Sequence, residues 1–529
     1  MFMYIRLSVV LLVSFYCAVS VSHSELLLVP EEYPSISLAV QSVQPYDTIS
    51  LAPGIYGDTI RPIVSLTIES RYRVSGDTND IRNTVWNHTL GTTLIVISNK
   101  TICFRGLTFS APGTPMLNRN LLLADSSRVL FEDCRFNGSY STSTGRIIHL
   151  TGLSSLLITR CVFTGTEEFS SQLIRTHFDI EDNIRNSSFT GYPHNTGIRL
   201  IELNADTVVF SGCYVKSTGR LGVISGRRWF LIENSFFQYL CEDGIWLFAS
   251  SERQSYVINC RFDSLIANSE HGDYLFSVNS AYPTGIVFEN CIFSNCQTQL
   301  VGTSRGLIQG GTIRNSIYRN CEFRNNSMAA TPFLHILSRG DMDSCRFIGN
   351  SINGSLFGWH FARDTIIIQN CDFIDNHITT FLYQNNTVMY APNCYWGDPS
   401  GPHWVGNPNG LGLELPDNVN PVPWRTTPVF PETGVREPVT TLSPTRYSLS
   451  AYPNPFNSTL SIHWSGNNPP LKSITVFDAL GRKVHDLPTT DFRGNRLLWK
   501  PTHLANGIYY LSVRDEHSVG VSLPVIYLK

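Results

Sequence analysis

Two groups of side chains in this chain are of types and spacings that could do chemistry. The first is acidic: Glu242-Asp243 and Glu270-His271-Gly272-Asp273 begin 28 residues apart, and Arg220 precedes Asp243 by 23. Carboxylates brought together in this way act as general acid and base, or as calcium ligands. No paired-aspartate or calcium-ligand pattern accompanies them, so polar residues in solvated turns are the preferred reading. The second group is ring-bearing: His149, His177, His335 and His360, each within a short apolar stretch, with Trp246 and Trp359 near some of them. Such rings on one face of a sheet can stack on sugars, although an ordinary outer sheet face is again preferred. A row of metal ligands is disfavoured, because these histidines fall in widely separated segments. No residue is therefore assigned as catalytic or metal-binding, no cofactor is expected, and the binding residues stay unassigned.

The elements that must position these side chains are set by a repeated phrase. Its cleanest copies are Val257-Ile258-Asn259-Cys260-Arg261-Phe262 and Ile368-Gln369-Asn370-Cys371-Asp372-Phe373. With the Cys position as a slot, copies fall at Leu107, Cys134, Cys161, Ser187, Cys213, Ser235, Cys260, Cys291, Cys321, Cys345, Cys371 and Cys394, with steps, by subtraction, of 22 to 31 residues. A period of this length marks a solenoid, with one supersecondary unit per repeat. Apolar residues, mostly aromatic, stand two positions after the slot, from Phe109 to Phe373 and Trp396, and another apolar row stands three before it. That spacing breaks the period of two expected of a strand, so the chain must bend between them. Seven copies carry Asn just before the slot (Asn186, Asn234, Asn259, Asn290, Asn320, Asn370 and Asn393). Asn tolerates left-handed backbone angles, and stacked amides can form a ladder.

Thirteen Cys would ordinarily suggest disulfides, but nine fill slots that also accept Leu and Ser. A position shared with Leu wants a small buried group, which a free thiol supplies. Cys291 with Cys296, and Cys241 with a neighbour, remain as alternatives for pairing.

Residues 1–22 read as a secretory signal, with Arg6, an apolar run from Leu7 to Tyr16 and the small residues Ala18-Val19-Ser20. No segment of the mature chain is expected to span a membrane. Pro34 and Ser35 open a helix whose apolar stripe is Ile36, Ala39, Val40 and Val43 and which covers the end of the solenoid. Residues 57–100 show no register. Gly397, Pro399, Gly401 and Pro402 stop the ladder. A Pro-rich linker spans 426–446, and five short alternating strands follow in 447–529. Charged residues are 15% of the chain and the net charge is −3, with no basic block, which argues against nucleic acid or an anionic membrane as partner.

Residues 25–425 resemble the right-handed parallel β-helix of pectin-lyase-like proteins, on the repeat, the opening Val29-Pro30 to Tyr56 and the stop Tyr395-Trp396-Gly397-Asp398-Pro399-Ser400-Gly401-Pro402. The tail is similar to a type IX secretion sorting domain of type A, on Tyr452-Pro453-Asn454-Pro455-Phe456-Asn457, Val476-Phe477-Asp478-Ala479-Leu480-Gly481-Arg482 and Leu504-Ala505-Asn506-Gly507-Ile508-Tyr509. The resemblances imply an all-β chain. A β-helix of about 12–14 coils is followed by a small immunoglobulin-like sandwich. They further imply the type IX machinery as a partner, and a secreted or outer-surface location reached through the periplasm. The expected activity is non-catalytic binding of glycans or surfaces, with a polysaccharide lyase or glycoside hydrolase as the alternative.

Overall fold

The computed structural model describes residues 24–87, 93–110, 120–137, 146–165, 172–177, 179–192, 199–217, 220–240, 245–249, 253–267, 276–280, 285–298, 307–310, 316–328, 334–335, 341–358, 366–383, 388–430 and most of 447–527. The chain divides into two compact units, Met1–Val429 and Phe430–Lys529. Residues 1–23, where a secretory signal is expected, and 431–446 of the expected linker 426–446 lie outside the described residues.

The first unit is a parallel β-solenoid with little helix. Its strands form a 29-stranded sheet and a 13-stranded sheet among the described residues. Each copy of the phrase is one corner between the two. Strand Ser255–Ile258 lies in the long sheet, Asn259 makes the bend, and strand Arg261–Asp263 continues in the short sheet. All seven Asn have left-handed angles, with φ from 50° to 58°. Gly106, Asp133, Arg160, Gly212 and Ser344 take the same angle in the other coils, so the position rather than the residue dictates it. The exposed amides run as a ladder: Asn259 donates to Asn234 (3.1 Å), Asn290 to Asn259 (3.0 Å) and Asn320 to Asn290 (2.7 Å).

Because the corner turns the chain, the rows on both sides of it face the interior. Parallel pairing then stacks like on like, as with Phe136 on Phe163 (4.3 Å between centroids, 3° between planes) and Phe323 on Phe347 (4.7 Å, 9°). The stack closes with Trp396 on Phe373 (4.8 Å, 4°). It also starts earlier than the repeat suggests. Tyr56 pairs with Trp86 and Trp86 with Phe109, which gives register to residues within the stretch 57–100. Two short helices, Tyr72–Ser75 and Thr78–Asn83, interrupt that early coil and disguise its period.

A second corner follows four residues after the slot in the later coils, at Tyr239, Ser264, Asn295, Asn325, Gly349 and Asp375, all with positive φ. The residue after the first five turns inward: Leu240, Leu265, Cys296, Asn326 and Asn350 are buried. Asn326 donates to Asn350 (2.9 Å) and to the Phe293 carbonyl (3.0 Å), so a buried amide ladder satisfies itself. Cys296 thus occupies a second slot one corner beyond Cys291, and the pairing of these two is corrected. All eleven described cysteines are free and buried. Cys241 lies outside the described residues.

The helix Ile36–Ser42 is capped by Ser35, whose hydroxyl accepts from the Leu38 amide at 3.3 Å, and it buries Ile36, Ala39 and Val40. At the other end Gly401 has φ 85°, and a Cβ there would lie 2.4 Å from Trp424 Nε1, so only glycine fits the stop.

The second unit has two antiparallel sheets. Tyr447–Tyr452, Leu460–Gly466 and Arg496–Trp499 form one, and Lys483–Leu487, Leu471–Asp478, Gly507–Asp515 and Gly520–Tyr527 the other. Strands Tyr447–Tyr452 and Lys483–Leu487 add to the five expected. Phe456, Ile462, Val476, Trp499, Leu511 and Tyr527 share its core.

Candidate functional site

The long sheet presents its outer face along a row defined by register. His149 pairs with Arg175, Arg175 with Glu202, Glu202 with Val223 and Val223 with Trp246. Ser277 and Gln309 carry the row on to His335. The register therefore sets His149, Trp246 and the strand position of His335 in one row. His177 stands off it, exposed and two residues past Arg175. His360 and Trp359 lie outside the described residues, as do Glu242, Asp243, Glu270, His271 and Asp273.

A bend widens this face. Ile147 and Ile148 are both buried, and so are Leu173 with Ile174 and Leu200 with Ile201. Two consecutive inward residues release the next residue on each side, so Arg146 leaves the core beside His149. Arg146 pairs with Gln172, and Arg199 with Arg220 at the same strand end. Arginines thus occur in successive coils along one strip of the solenoid. Sequence reading missed Arg146, Arg175, Arg199 and Glu202. Arg146 and Arg199 stand just before the apolar pair of their strands and Arg175 and Glu202 just after it, a signal that means nothing until the bend is known.

The strip is polar and partly sheltered. Arg175 Nε lies 3.5 Å from Glu202 Oε2. The Asn120 amide lies 3.4 Å from His149 Nδ1, and the Arg146 backbone N–H donates to Asn120 Oδ1 at 3.1 Å. Burial, and then the charges of Arg146 and Arg175, push His149 down to about 4, so its imidazole is neutral at neutral pH. Burial, then Arg175, lowers Arg146 from its ordinary value. The arrangement can bind anions and hydrogen-bond hydroxyls. Among the described residues no three His, Cys, Asp or Glu side chains converge as a metal group. A shallow depression lined by Ser351, Asn353, His377 and Thr379 lies further along the long sheet.

Residues 450–526 match the family model of the secretion system C-terminal sorting domain. The tail is a type IX sorting domain. It marks the protein for export to the cell surface or the medium by the type IX secretion machinery. No curated protein matches the chain. Among solved structures, it is similar to a tailspike protein from Acinetobacter baumannii bacteriophage Fri1, a capsular polysaccharide depolymerase (13% identity, TM-score 0.28, 95% of this chain and 78% of that one). It is also similar to an exopolygalacturonase from Thermotoga maritima (9% identity, TM-score 0.22, 66% of this chain and 83% of that one). No helix among the described residues is long and apolar enough to cross a membrane.

Proposed function

We propose that the exported solenoid binds acidic glycans along the arginine strip without cleaving them. The observation that carries this reading is the register, which sets Arg146, Arg175, Arg199 and Arg220 on neighbouring strands about 4.8 Å apart. Guanidinium groups fork onto carboxylates and sulfates, while a flat sheet lets an extended chain lie across several coils. Trp246 and the neutral His149 add ring faces and a hydrogen-bonding edge in the same row. Glycosidic cleavage ordinarily uses two carboxyl groups flanking the bond. Among the described residues the row offers Glu202, which is engaged by Arg175. A lyase or hydrolase would need acids from Glu242-Asp243 or Glu270 to Asp273.

The same proposal assigns 1–22 to a signal peptide, 25–425 to a right-handed β-helix, 426–446 to a linker and 447–529 to an immunoglobulin-like sorting sandwich. A glycan array combined with product analysis tests the functional reading. Retention of acidic glycans without new ends supports it. Release of shortened products establishes the enzyme instead, and retention of neutral glycans alone overturns both the strip and its charge.

A further inference from the structure

One turn of the solenoid breaks its own apolar rows. Asp182 stands in an inward row between Leu156 and Val208, with Phe230 following, and Asp179 pairs with Ala205 beside Gly226. Both aspartates are 0% exposed, and Thr176 beside them is 1% exposed. The Thr176 hydroxyl donates to Asp182 Oδ2 at 2.5 Å and accepts from the Asn204 amide at 2.8 Å. Both carboxyl oxygens of Asp179, and Oδ1 of Asp182, are sealed from solvent and lack a well-formed hydrogen bond among the described residues, although the His177 backbone favours the ionised Asp179. Two ionised carboxylates side by side in a site sealed by protein would meet both the cost of desolvation and their mutual repulsion, and one bound proton relieves both.

Of the charges around the pair, Arg227 favours the ionised Asp179, but burial and the charge of Asp182 outweigh it. Arg227 donates to the Asp179 backbone carbonyl at 3.1 Å, while its Nη2 lies 2.8 Å from Asp206. Arg228 also lies against Asp206, at 3.4 Å. From the pair's own segment come Arg175, His177 and the exposed Glu181, and from the next strand Glu202 and Asp206. Strand Ser155–Thr159, on the other side, brings no titratable residue. A calcium ion takes six to eight oxygens, and the described side chains here offer only two carboxyls and one hydroxyl.

We propose that Asp179 and Asp182 share a proton, and that the protonated pair is a pH-sensitive brace under the arginine strip. The Asp179 carboxyl then donates to Asp182, whose other oxygen receives the Thr176 hydroxyl. The chain of bonds runs Asn204 N–H to Thr176 O–H to Asp182. It ties the turn after Arg175 to the strand carrying Glu202, the two members of the ion pair on the face above. Burial and the charge of Asp182 push Asp179 up to about 9, and burial pushes Asp182 up to about 7. The folded chain therefore holds protons that the unfolded chain, titrating near the ordinary 3.8, has released. The stability this pair contributes falls as pH rises from that value through about 9. His149 acts in the opposite sense at lower pH, where an unfolded imidazole gains a proton that the folded one refuses until about 4. Wild type must therefore be read against a variant that differs only at the pair.

The test is the denaturation midpoint of the full chain between pH 5 and 9, compared with the Asp179→Asn/Asp182→Asn double variant, which keeps the shape of the pair and cannot ionise. The midpoint of wild type relative to the variant is expected to fall steadily across that range. Parallel profiles overturn the proposal. So does stabilisation by added calcium in wild type alone, which would place a cation between the carboxyls. Should the double variant fail to fold, wild-type unfolding at pH 7 is measured in buffers of different protonation enthalpy. Release of about one proton or more supports the shared proton, and no release overturns it. Neither readout depends on whether the strip binds a glycan.

Discussion

Replacing Phe323 by Ala probes the register on which everything else rests. Its ring is fully buried and lies between Phe293 (5.0 Å, 5°) and Phe347 (4.7 Å, 9°), with Tyr318 edge-on at 6.1 Å. Burying such a side chain contributes about 1.5–3 kcal/mol. Each of two stacked contacts adds about 0.5–1.5 kcal/mol. The neighbours are held by ladder bonds on both sides and cannot close the gap. The expected loss is thus about 3–5 kcal/mol, the usual range for a buried aromatic truncated to Ala. Ile292 on the neighbouring coil is 37% exposed, and Ile292→Ala should stay within about 0.5 kcal/mol. Urea denaturation with an unchanged slope measures both. Hydrogen exchange of amides in 316–324 shows whether the loss is local, as nearest-neighbour coupling in a solenoid requires. A loss below about 1 kcal/mol at Phe323, or equal losses at both sites, would refute the stacked core.

Three further outcomes follow from the same geometry. Burial pushes the Cys213 and Cys296 thiols up to about 12, so native protein at pH 8 should resist thiol reagents, whereas unfolded, unreduced protein should react at nearly every slot; widely blocked thiols would contradict the free stack. Asn290→Ala should lose about 1–2 kcal/mol, from left-handed strain and the two ladder bonds, and Asn290→Gly distinctly less, because glycine keeps the angle; equal melting shifts would contradict a conformational role. Removing 447–529 should leave a folded solenoid in the periplasm, which cell fractionation and limited proteolysis decide; normal appearance at the surface or in the medium would show that the tail is not the address.

The coil architecture was legible because one physical demand, a left-handed corner between two inward rows, recurs with the same residues. Asn259, Cys260 and Phe262 announce it in four adjacent letters. The second corner was not legible, because Tyr239, Ser264, Asn295, Gly349 and Asp375 meet one demand with five residue types. The early coil was hidden by two inserted helices, so Trp86 looked unrelated to Phe109. The strip escaped notice for a different reason. His149 and Trp246 were conspicuous as rings, but Arg146 and Arg175 are ordinary surface residues until pairing sets them side by side. The acids at Glu242 and Glu270 drew attention through a spacing of about one coil, while Asp179 and Asp182, which fill core positions, have no such spacing to mark them.

The most direct test of acidic-glycan binding is the affinity of one uronate- or sulfate-bearing oligosaccharide for wild type and for Arg146→Gln and Arg175→Gln, at low and high salt. Charge-assisted contacts contribute about 1.5–3 kcal/mol each, so each variant should bind about 10- to 100-fold more weakly. Wild-type affinity should fall with salt while both variants keep the wild-type denaturation midpoint. Undiminished affinity in both variants, or a wild-type affinity indifferent to salt and equal for the neutral oligosaccharide, would contradict the account.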